Sequence, residues 1–259
     1  MLRAWLALAV LLSGTARGAG PNYSAAGIVN TANYTLGPFA PNSVVTIFGS
    51  GLARSAQGVA MTPGLPQLPK ELNFARVTVS GYEAPLLYAS DSQINFLIPS
   101  DLIPGNVPIR VMVEGSTMAG PDVTVTLVDA APALFPMAGG YAIATHADGT
   151  LLTADSPAHA KDIVVIYLTG LGRTSPNPAP GEILPLTAQA QMVRLSDLKV
   201  SLDGSTVDPI LIKYAGLTPG SAGLYQINLE VPSNVGTDPE IRVAVANQSS
   251  PAGLKLAVR

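Results

Sequence analysis

The chain has 259 residues, of which 47% are hydrophobic and 12% are charged, and its formal net charge is −3. The low charge and the lack of a basic cluster argue against nucleic acid as a partner. The sequence has no cysteine, so no disulfide contributes and stability has to come from buried apolar side chains.

The first residues, MLRAWLALAVLLSGTARGAG, predict a secretory signal peptide over residues 1–18. Arg3 gives a positive start, an apolar run follows, and Ala16 and Gly18 are the small residues that a cleavage site requires. The apolar run is shorter than the roughly 20 residues that cross a bilayer. We therefore expect a mature chain from Ala19, secreted or held in the cell envelope, without a transmembrane segment. The alternative is an uncleaved membrane anchor or a buried N-terminal helix.

Beyond residue 18, short runs rich in Val, Ile, Leu and Thr alternate with glycine and proline. In DVTVTLV, Val123, Val125 and Leu127 fall on one face of a strand, and Thr124 and Thr126 fall on the other. This two-residue period is typical of a half-buried strand, and no window has the period of a long amphipathic helix. Short strands separated by turn residues at intervals of about 8–12 positions predict an all-β sandwich.

The sequence repeats itself in its two halves. Four stretches of the first half have similar counterparts, in the same order, in the second half. In the first half they are VVTIFGSGLA, VTVSG, LLYASDSQINFLIP and PIRVMVEGS. Their counterparts are IVVIYLTGLG, KVSLDG, IKYAGLTPGSAGLYQINLEVP and EIRVAVANQS. We therefore predict a tandem duplication of one β-domain, over residues 19–130 and 131–259. The second copy is expected to open with a hairpin at Asp148-Gly149, since glycine takes the positive φ of such a turn. The Pro-rich stretches TPGLPQLP and SPNPAPGE occupy matching positions and are predicted to be surface loops.

Five separated phrases carry a family resemblance: AGIVNTANYTLGPFAPNSVVTIFGSGLA, APLLYASDSQINFLIP, THADGTLLTADSPA, IVVIYLTGLG and YAGLTPGSAGLYQINLEVP. They resemble the Solibacter uncharacterised C-terminal domain family, a group of exported acidobacterial proteins related in pattern to the Ig-like IPT/TIG domains. The resemblance extends from about Gly27 to Arg259. It implies that each half is an Ig-like β-sandwich, and it implies no catalytic residue, because none is established for the family.

The triplet Gln-Ile-Asn occurs once in each half, and its amides are candidate ligand-facing residues. Gln93 and Asn95 share one face of a strand, as do Gln226 and Asn228, while the isoleucine between them points to the core. Such amides either bind a polar ligand or bond the backbone of a crossing loop. The structural role is preferred, because both copies keep the pair although the residues before it differ.

The two histidines, His146 and His159, lie in one segment with several acids and a serine. These are Asp148, Asp155, Asp162 and Ser156. A catalytic triad is disfavoured because Ser156 precedes a proline and lacks the G-x-S-x-G setting. The spacing of the histidines matches no common zinc site. Surface loops are therefore predicted, with no metal, no cofactor and no catalytic residue.

Three functions remain open at this stage. The leading hypothesis is an exported, non-catalytic tandem Ig-like protein that acts as an interaction or structural module. Its partner would be an envelope or extracellular protein, or a polysaccharide. The first alternative is a carbohydrate-binding module with Tyr82, Tyr141 and Tyr225 as aromatic platforms, although the predicted mature chain has no Trp. The second alternative is a hydrolase that uses the His146–His159 segment.

Overall fold

The computed structural model describes residues 20–61 and 66–259. The predicted signal peptide over residues 1–18 and the predicted mature start at Ala19 lie outside the described residues. Within them, the regular structure consists of β-strands and three 3₁₀ turns, without an α-helix. The 3₁₀ turns are Ala25–Gly27, Leu195–Asp197 and Pro209–Leu211. None of the helical segments in these two ranges is long and apolar enough to cross a membrane.

Nine strands lie in the first half of the chain. They are β1 Ile28–Asn30, β2 Val44–Phe48, β3 Gln57–Gly58, β4 Ala75–Val79, β5 Tyr82–Glu83, β6 Leu86–Ala89, β7 Gln93–Leu97, β8 Gly105–Val113 and β9 Val123–Leu127. They form two antiparallel sheets with the orders β1-β2-β7-β6-β3 and β5-β4-β8-β9. The stretch DVTVTLV forms β9, as its alternation predicts.

The second half contributes the remaining strands. They are β10 Ala133–Leu134, β11 Pro136–Met137, β12 Tyr141–Ala142, β13 Ala144–His146, β14 Ile163–Thr169, β15 Thr174–Ser175, β16 Ala190–Met192, β17 Leu198–Leu202, β18 Ser205–Thr206, β19 Ile212–Leu217, β20 Tyr225–Glu230, β21 Ile241–Val245 and β22 Gln248–Ser249. The larger sheet has the order β10-β14-β20-β19-β16-β15, with β13 also paired to β14. The other sheet has the order β18-β17-β21-β22, and β11 pairs with β12.

The two halves share one topology. The order β2-β7-β6 corresponds to β14-β20-β19, and β5-β4-β8-β9 corresponds to β18-β17-β21-β22. A bulge recurs at the matching place, between Leu86 and Tyr88 in β6 and between Ile212 and Tyr214 in β19. The chain is therefore all-β and consists of two tandem Ig-like sandwiches.

The tight turns also recur where the sequence supplies residues that tolerate positive φ. The β4–β5 turn at Ser80-Gly81 has φ values of 52° and 82°, and the β17–β18 turn at Asp203-Gly204 has 47° and 76°. Positive φ at both central residues is the hairpin geometry that matches the twist of the strands. The predicted turn at Gly149 is also present, with φ at 87°. After this turn, one isolated antiparallel β-bridge joins Leu151 to Thr145.

Each half has its own hydrophobic core. Ile94 and Phe96 lie in the first, whose members run from Tyr23 to Leu127. The second contains Ile227 among its members and begins at Ala130. The two clusters share no residue, which fits two sandwiches. The boundaries 19–130 and 131–259 stay predictions.

The described parts of the two Pro-rich stretches, residues 66–69 and 175–182, are mostly exposed, as expected of surface loops, and they also pair with each other across the two halves. Gln67 forms an antiparallel bridge with Glu182. On one side of it, the Leu68 N–H donates to the Gly181 carbonyl at 2.9 Å, and on the other the Ile183 N–H donates to the Pro66 carbonyl at 2.9 Å. Each loop thus supplies the backbone partners of the other.

A buried hydroxyl and a small apolar cluster complete this contact between the halves. The Thr169 Oγ1 accepts a hydrogen bond from the Val44 N–H at 3.1 Å and donates to the Gly223 carbonyl at 3.2 Å. Val44 and Leu97, from the first sandwich, pack in one cluster with Ala222 of the second. The contact therefore lies on the outer face of the sheet that carries β2 and β7.

Candidate functional site

The outer face of that sheet carries the Gln-Ile-Asn amides of the first sandwich. In β7, Ile94 and Phe96 are fully buried in the core, while Gln93 and Asn95 are only partly buried. The alternation follows from the two-residue period of a strand, which sends successive side chains to opposite faces. Both amides therefore project away from the core, as the sequence predicts.

Hydroxyl and amide groups hold these side chains in place. The Gln93 Nε2 donates to the Asn95 Oδ1 at 2.8 Å, and the Thr46 Oγ1 donates to the same oxygen at 3.0 Å. Thr46 itself is fully buried, and its hydroxyl lies 2.9 Å from that of Thr31. The amides therefore bond side chains and not the backbone of a crossing loop, which differs from the structural role we expected.

The amide pair keeps unused hydrogen-bonding groups. Among the described residues, the Gln93 Oε1 and the Asn95 Nδ2 make no hydrogen bond. In the described part of the chain, the buried side-chain polar atoms without a hydrogen-bond partner are the Arg194 Nε, Thr218 Oγ1 and Arg242 Nε. Neither amide atom is among them. One acceptor and one donor of the pair are therefore not fully buried and remain available for a hydrogen bond to a polar ligand.

An exposed phenylalanine lies opposite Gln93, and a tyrosine ring lies near that phenylalanine. Phe48 is opposite Gln93 in the β2–β7 ladder, and its side chain is 40% exposed. The Tyr34 ring, whose residue is 62% exposed, lies with its centroid 6.0 Å from that of Phe48. Cross-strand neighbours on one face have Cβ atoms about 4.5–5.5 Å apart. We name the surface of Tyr34, Phe48, Gln93 and Asn95 the amide–aromatic face.

The second sandwich repeats the amides but not their surroundings. The Gln226 Nε2 donates to the Asn228 Oδ1 at 2.8 Å. Tyr167 takes the place of Phe48 opposite the glutamine, but it is partly buried and its hydroxyl lies 3.5 Å from that of Thr145. Val165 takes the place of Thr46, so the asparagine has no hydroxyl beside it on β14. The two amide pairs are therefore equivalent in fold and different in setting.

Of the three predicted tyrosine platforms, one is buried. Tyr225 is fully buried and its hydroxyl donates to the Gly172 carbonyl, so it offers no ring face to a ligand. Burial raises the pKa of the Tyr225 phenol. The Tyr141 hydroxyl donates to the Asp238 carboxylate at 2.9 Å, and this bond raises the pKa of Tyr141. Tyr82 is 64% exposed, but it lies on β5, in the other sheet from the amides.

The histidine segment brings one serine to a histidine, without the remaining parts of a catalytic site. The His146 Nε2 lies 3.3 Å from the Ser156 Oγ and 3.2 Å from the Ser156 carbonyl. A nitrogen that donates to the carbonyl carries a proton and is then no base for the hydroxyl. Within residues 20–61 and 66–259, no carboxylate contacts the His146 ring to orient it.

The other groups of this segment bond locally. Asp148 accepts from both the hydroxyl and the N–H of Thr150, and these bonds lower the pKa of Asp148. His159 lies 3.7 Å from Asp162, with both side chains largely exposed. In the described part of the chain, no group of three or more His, Cys, Asp or Glu side chains is placed to hold a metal ion.

Sequence reasoning missed both aromatic members of the site. Phe48 follows Val44 and Thr46 at two-residue intervals, so the alternation of β2 already places it on the outer face. Tyr34 gives no such signal, because it lies in the loop after β1 with φ at 57°, and only the folded loop brings it to Phe48.

Residues 31–126 match the model of the IPT/TIG domain family. The match lies within the first sandwich and shows its relationship to the Ig-like IPT/TIG domains. No protein of curated function matches the chain. The narrower relationship to the Solibacter family stays a prediction.

The chain is distantly similar to several solved structures. A Bacteroides ovatus protein, the mixed-linkage glucan utilization locus SGBP-B in complex with a mixed-linkage heptasaccharide, is 13% identical with a TM-score of 0.33, over 85% of this chain and 43% of that chain. The plexin A4 full extracellular region is 15% identical with a TM-score of 0.31, and the match covers 100% of this chain and 20% of that chain. The Escherichia coli adhesin FdeC is 16% identical with a TM-score of 0.24, and the match covers 85% of this chain and 61% of that chain. The chain spans less than two thirds of each, and these distant likenesses carry no functional argument.

Proposed function

We propose that the protein is an exported, non-catalytic interaction module of the cell envelope or the extracellular space. We further propose that its partner, a protein or a polysaccharide, contacts the amide–aromatic face. The relationship of residues 31–126 to Ig-like IPT/TIG domains supports a binding role for the fold. The predicted signal peptide over residues 1–18 supports export.

One observation carries the proposal of the site. The amide–aromatic face combines two exposed rings with an amide pair that still has an unused donor and acceptor. Exposed aromatic residues are characteristic anchors of binding surfaces, because a ring offers much contact area for few rotatable bonds. Preorganised polar groups beside them fix the orientation of a ligand.

The hydrolase alternative has weaker geometry. The Ser156 hydroxyl is exposed, and the His146 nitrogen nearest to it also lies within bonding distance of a carbonyl. We therefore expect no turnover of ester, peptide or glycoside substrates by the purified protein. Turnover that is abolished in Ser156→Ala and in His146→Ala would make the protein an enzyme and would end the proposal of a non-catalytic module.

The binding role is tested with the mature protein and isolated cell envelopes of the organism that makes it. We expect sedimentation of the protein with the envelopes, and at least a tenfold weaker affinity for the Phe48→Ala variant. Phe74→Ala is the matched control, because Phe74 is 42% exposed and lies outside the face. Equal affinity of both variants would show that the face is not the contact, and failure of the wild type to sediment would contradict the envelope role.

Export is tested separately by mass spectrometry of the protein recovered from outside the cytoplasm. We expect a chain that starts at Ala19. An intact Met1 in that fraction would contradict cleavage.

A further inference from the structure

We infer that the amide–aromatic face binds a neutral polysaccharide, an inference that rests on the proposed function and names its ligand class. The pair of exposed rings indicates a sugar ligand. A pyranose ring presents a face of C–H groups, which packs on the electron-rich face of an aromatic ring. Phe48 and Tyr34 are both exposed, and their ring centroids lie 6.0 Å apart with the planes tilted by 43°, so both rings are accessible to such a pyranose.

The amide pair supplies the second argument. Neighbouring sugar hydroxyls each donate and accept a hydrogen bond, so they match a donor and an acceptor that lie side by side. The Asn95 Nδ2 supplies such a donor and the Gln93 Oε1 such an acceptor, on two side chains that the 2.8 Å bond from Gln93 Nε2 to Asn95 Oδ1 holds together. Thr46 and Thr31 hold the asparagine from beneath, so little conformational freedom is lost when a ligand binds.

The charge of the sheet supplies the third argument. The strands β1, β2, β3, β6 and β7 contain no Asp, Glu, Lys or Arg. Phosphate and carboxylate ligands are bound by Arg or Lys through charge-assisted hydrogen bonds. A sheet without either side chain therefore favours an uncharged sugar over a phosphorylated or acidic one.

The openness of the face indicates a polymer. Tyr34 is 62% exposed and Phe48 is 40% exposed, so neither residue lies at the bottom of a closed pocket. An open strip accepts internal units of a long chain, whereas recognition of a single sugar or a chain end uses an enclosed pocket. The second sandwich lacks the exposed ring pair, because Tyr167 is partly buried, so we assign the site to the first sandwich alone.

Affinity electrophoresis in gels that contain a dissolved polysaccharide tests the inference with the mature protein. The neutral polymers are a β-glucan, a xylan, a mannan and an α-glucan, and the acidic comparison is polygalacturonate. We expect retardation by at least one neutral polymer and none by polygalacturonate. The Phe48→Ala variant and the Gln93→Ala/Asn95→Ala variant should each raise the dissociation constant at least tenfold.

Matched variants separate a lost contact from a damaged fold. Phe74→Ala removes an equally exposed ring, and Asn106→Ala removes an exposed amide that also bonds a threonine hydroxyl, so both should bind within twofold of the wild type. Phe48→Trp keeps a ring at the site and should retain binding. All variants are compared by their melting temperatures before binding is interpreted.

Three outcomes would overturn the inference: no retardation by any neutral polymer, a preference for polygalacturonate, or retardation that is unchanged in the Phe48 and amide variants. The result also separates this inference from the proposed function. Envelope binding that depends on Phe48 while no neutral polymer binds would refute the sugar and leave the proposed function standing. Loss of both would refute both.

Discussion

The Gln93 Nε2 donates a hydrogen bond of 2.8 Å to the Asn95 Oδ1, and the pair stands on the outer face of β7 beside the exposed Phe48. Gln226 and Asn228 make the same bond at 2.8 Å in the second sandwich. The bond is therefore a property of the repeated strand, whereas the exposed rings belong to the first copy. On our proposal, it is these neighbouring rings, and not the repeated bond, that distinguish the first copy as a binding site.

The different neighbours of the two asparagines predict different costs of their removal. Asn95→Ala removes the acceptor of the buried Thr46 hydroxyl, so we expect a loss of about 1 kcal/mol in the free energy of unfolding. Asn228→Ala has Val165 opposite it and should cost less than about 0.5 kcal/mol. Urea unfolding of both variants measures the difference. Equal costs would show that the Thr46 bond contributes nothing.

Truncation of Phe96 tests the separation of the two cores. Phe96 is fully buried in the first core, and replacing a buried phenylalanine by alanine costs about 3–5 kcal/mol. In Phe96→Ala, hydrogen exchange should accelerate in β2, β7 and β8 and change little in β20 and β21. The exposed Phe74→Ala serves as control and should cost only about 0.5–1 kcal/mol, because it loses the contact of its ring with the Arg54 guanidinium. Equal acceleration in both halves would argue for one continuous cooperative unit.

One buried hydroxyl contributes to the contact between the halves. Thr169→Val keeps the shape of the side chain but leaves the Val44 N–H and the Gly223 carbonyl without their partner. A buried polar group without a partner costs about 1–3 kcal/mol. We expect that loss in urea unfolding, together with faster hydrogen exchange of the Val44 amide. An unchanged Val44 amide in the variant would show that the hydroxyl does not hold the halves together.

Tyr225 makes stability fall at high pH. Burial raises the pKa of its phenol, so the folded state holds the proton more tightly than the unfolded state does. Its contribution is complete below the unfolded pKa of about 10 and is lost as the pH rises through the higher folded pKa. Tyr225→Phe should therefore lower stability at pH 7, because the bond to Gly172 is lost, and flatten the decline above pH 10. If the stability of Tyr225→Phe declined above pH 10 as steeply as that of the wild type, the decline would be due to Tyr23 and Tyr214, whose pKa values burial also raises.

Local periodicity predicted the strands and the direction of their side chains. The alternation in QINFL correctly placed Ile94 and Phe96 inside and the amides outside. The same rule places Tyr225 on the inner face with Ile227 and Leu229, so its burial was within reach of the sequence. Treating Tyr225 as a platform ignored that register.

Contacts between distant loops were beyond the reach of the sequence. The bridge between Gln67 and Glu182 joins two Pro-rich stretches whose letters only predict turns. Tyr34 meets Phe48 through a loop in which Tyr34 has a positive φ, a conformation that tyrosine does not favour. Such pairings depend on tertiary packing and have no local periodic signature.

The most direct test of the central claim observes the side-chain amides themselves during binding. Two-dimensional ¹H–¹⁵N spectra of the mature protein, titrated with a neutral polysaccharide fragment that binds, resolve the NH₂ signals of asparagine and glutamine. We predict that the Gln93 and Asn95 signals shift with the binding isotherm, while those of Gln226 and Asn228 stay in place. Binding that leaves the Gln93 and Asn95 signals unmoved would contradict the account, because the ligand would then lie elsewhere.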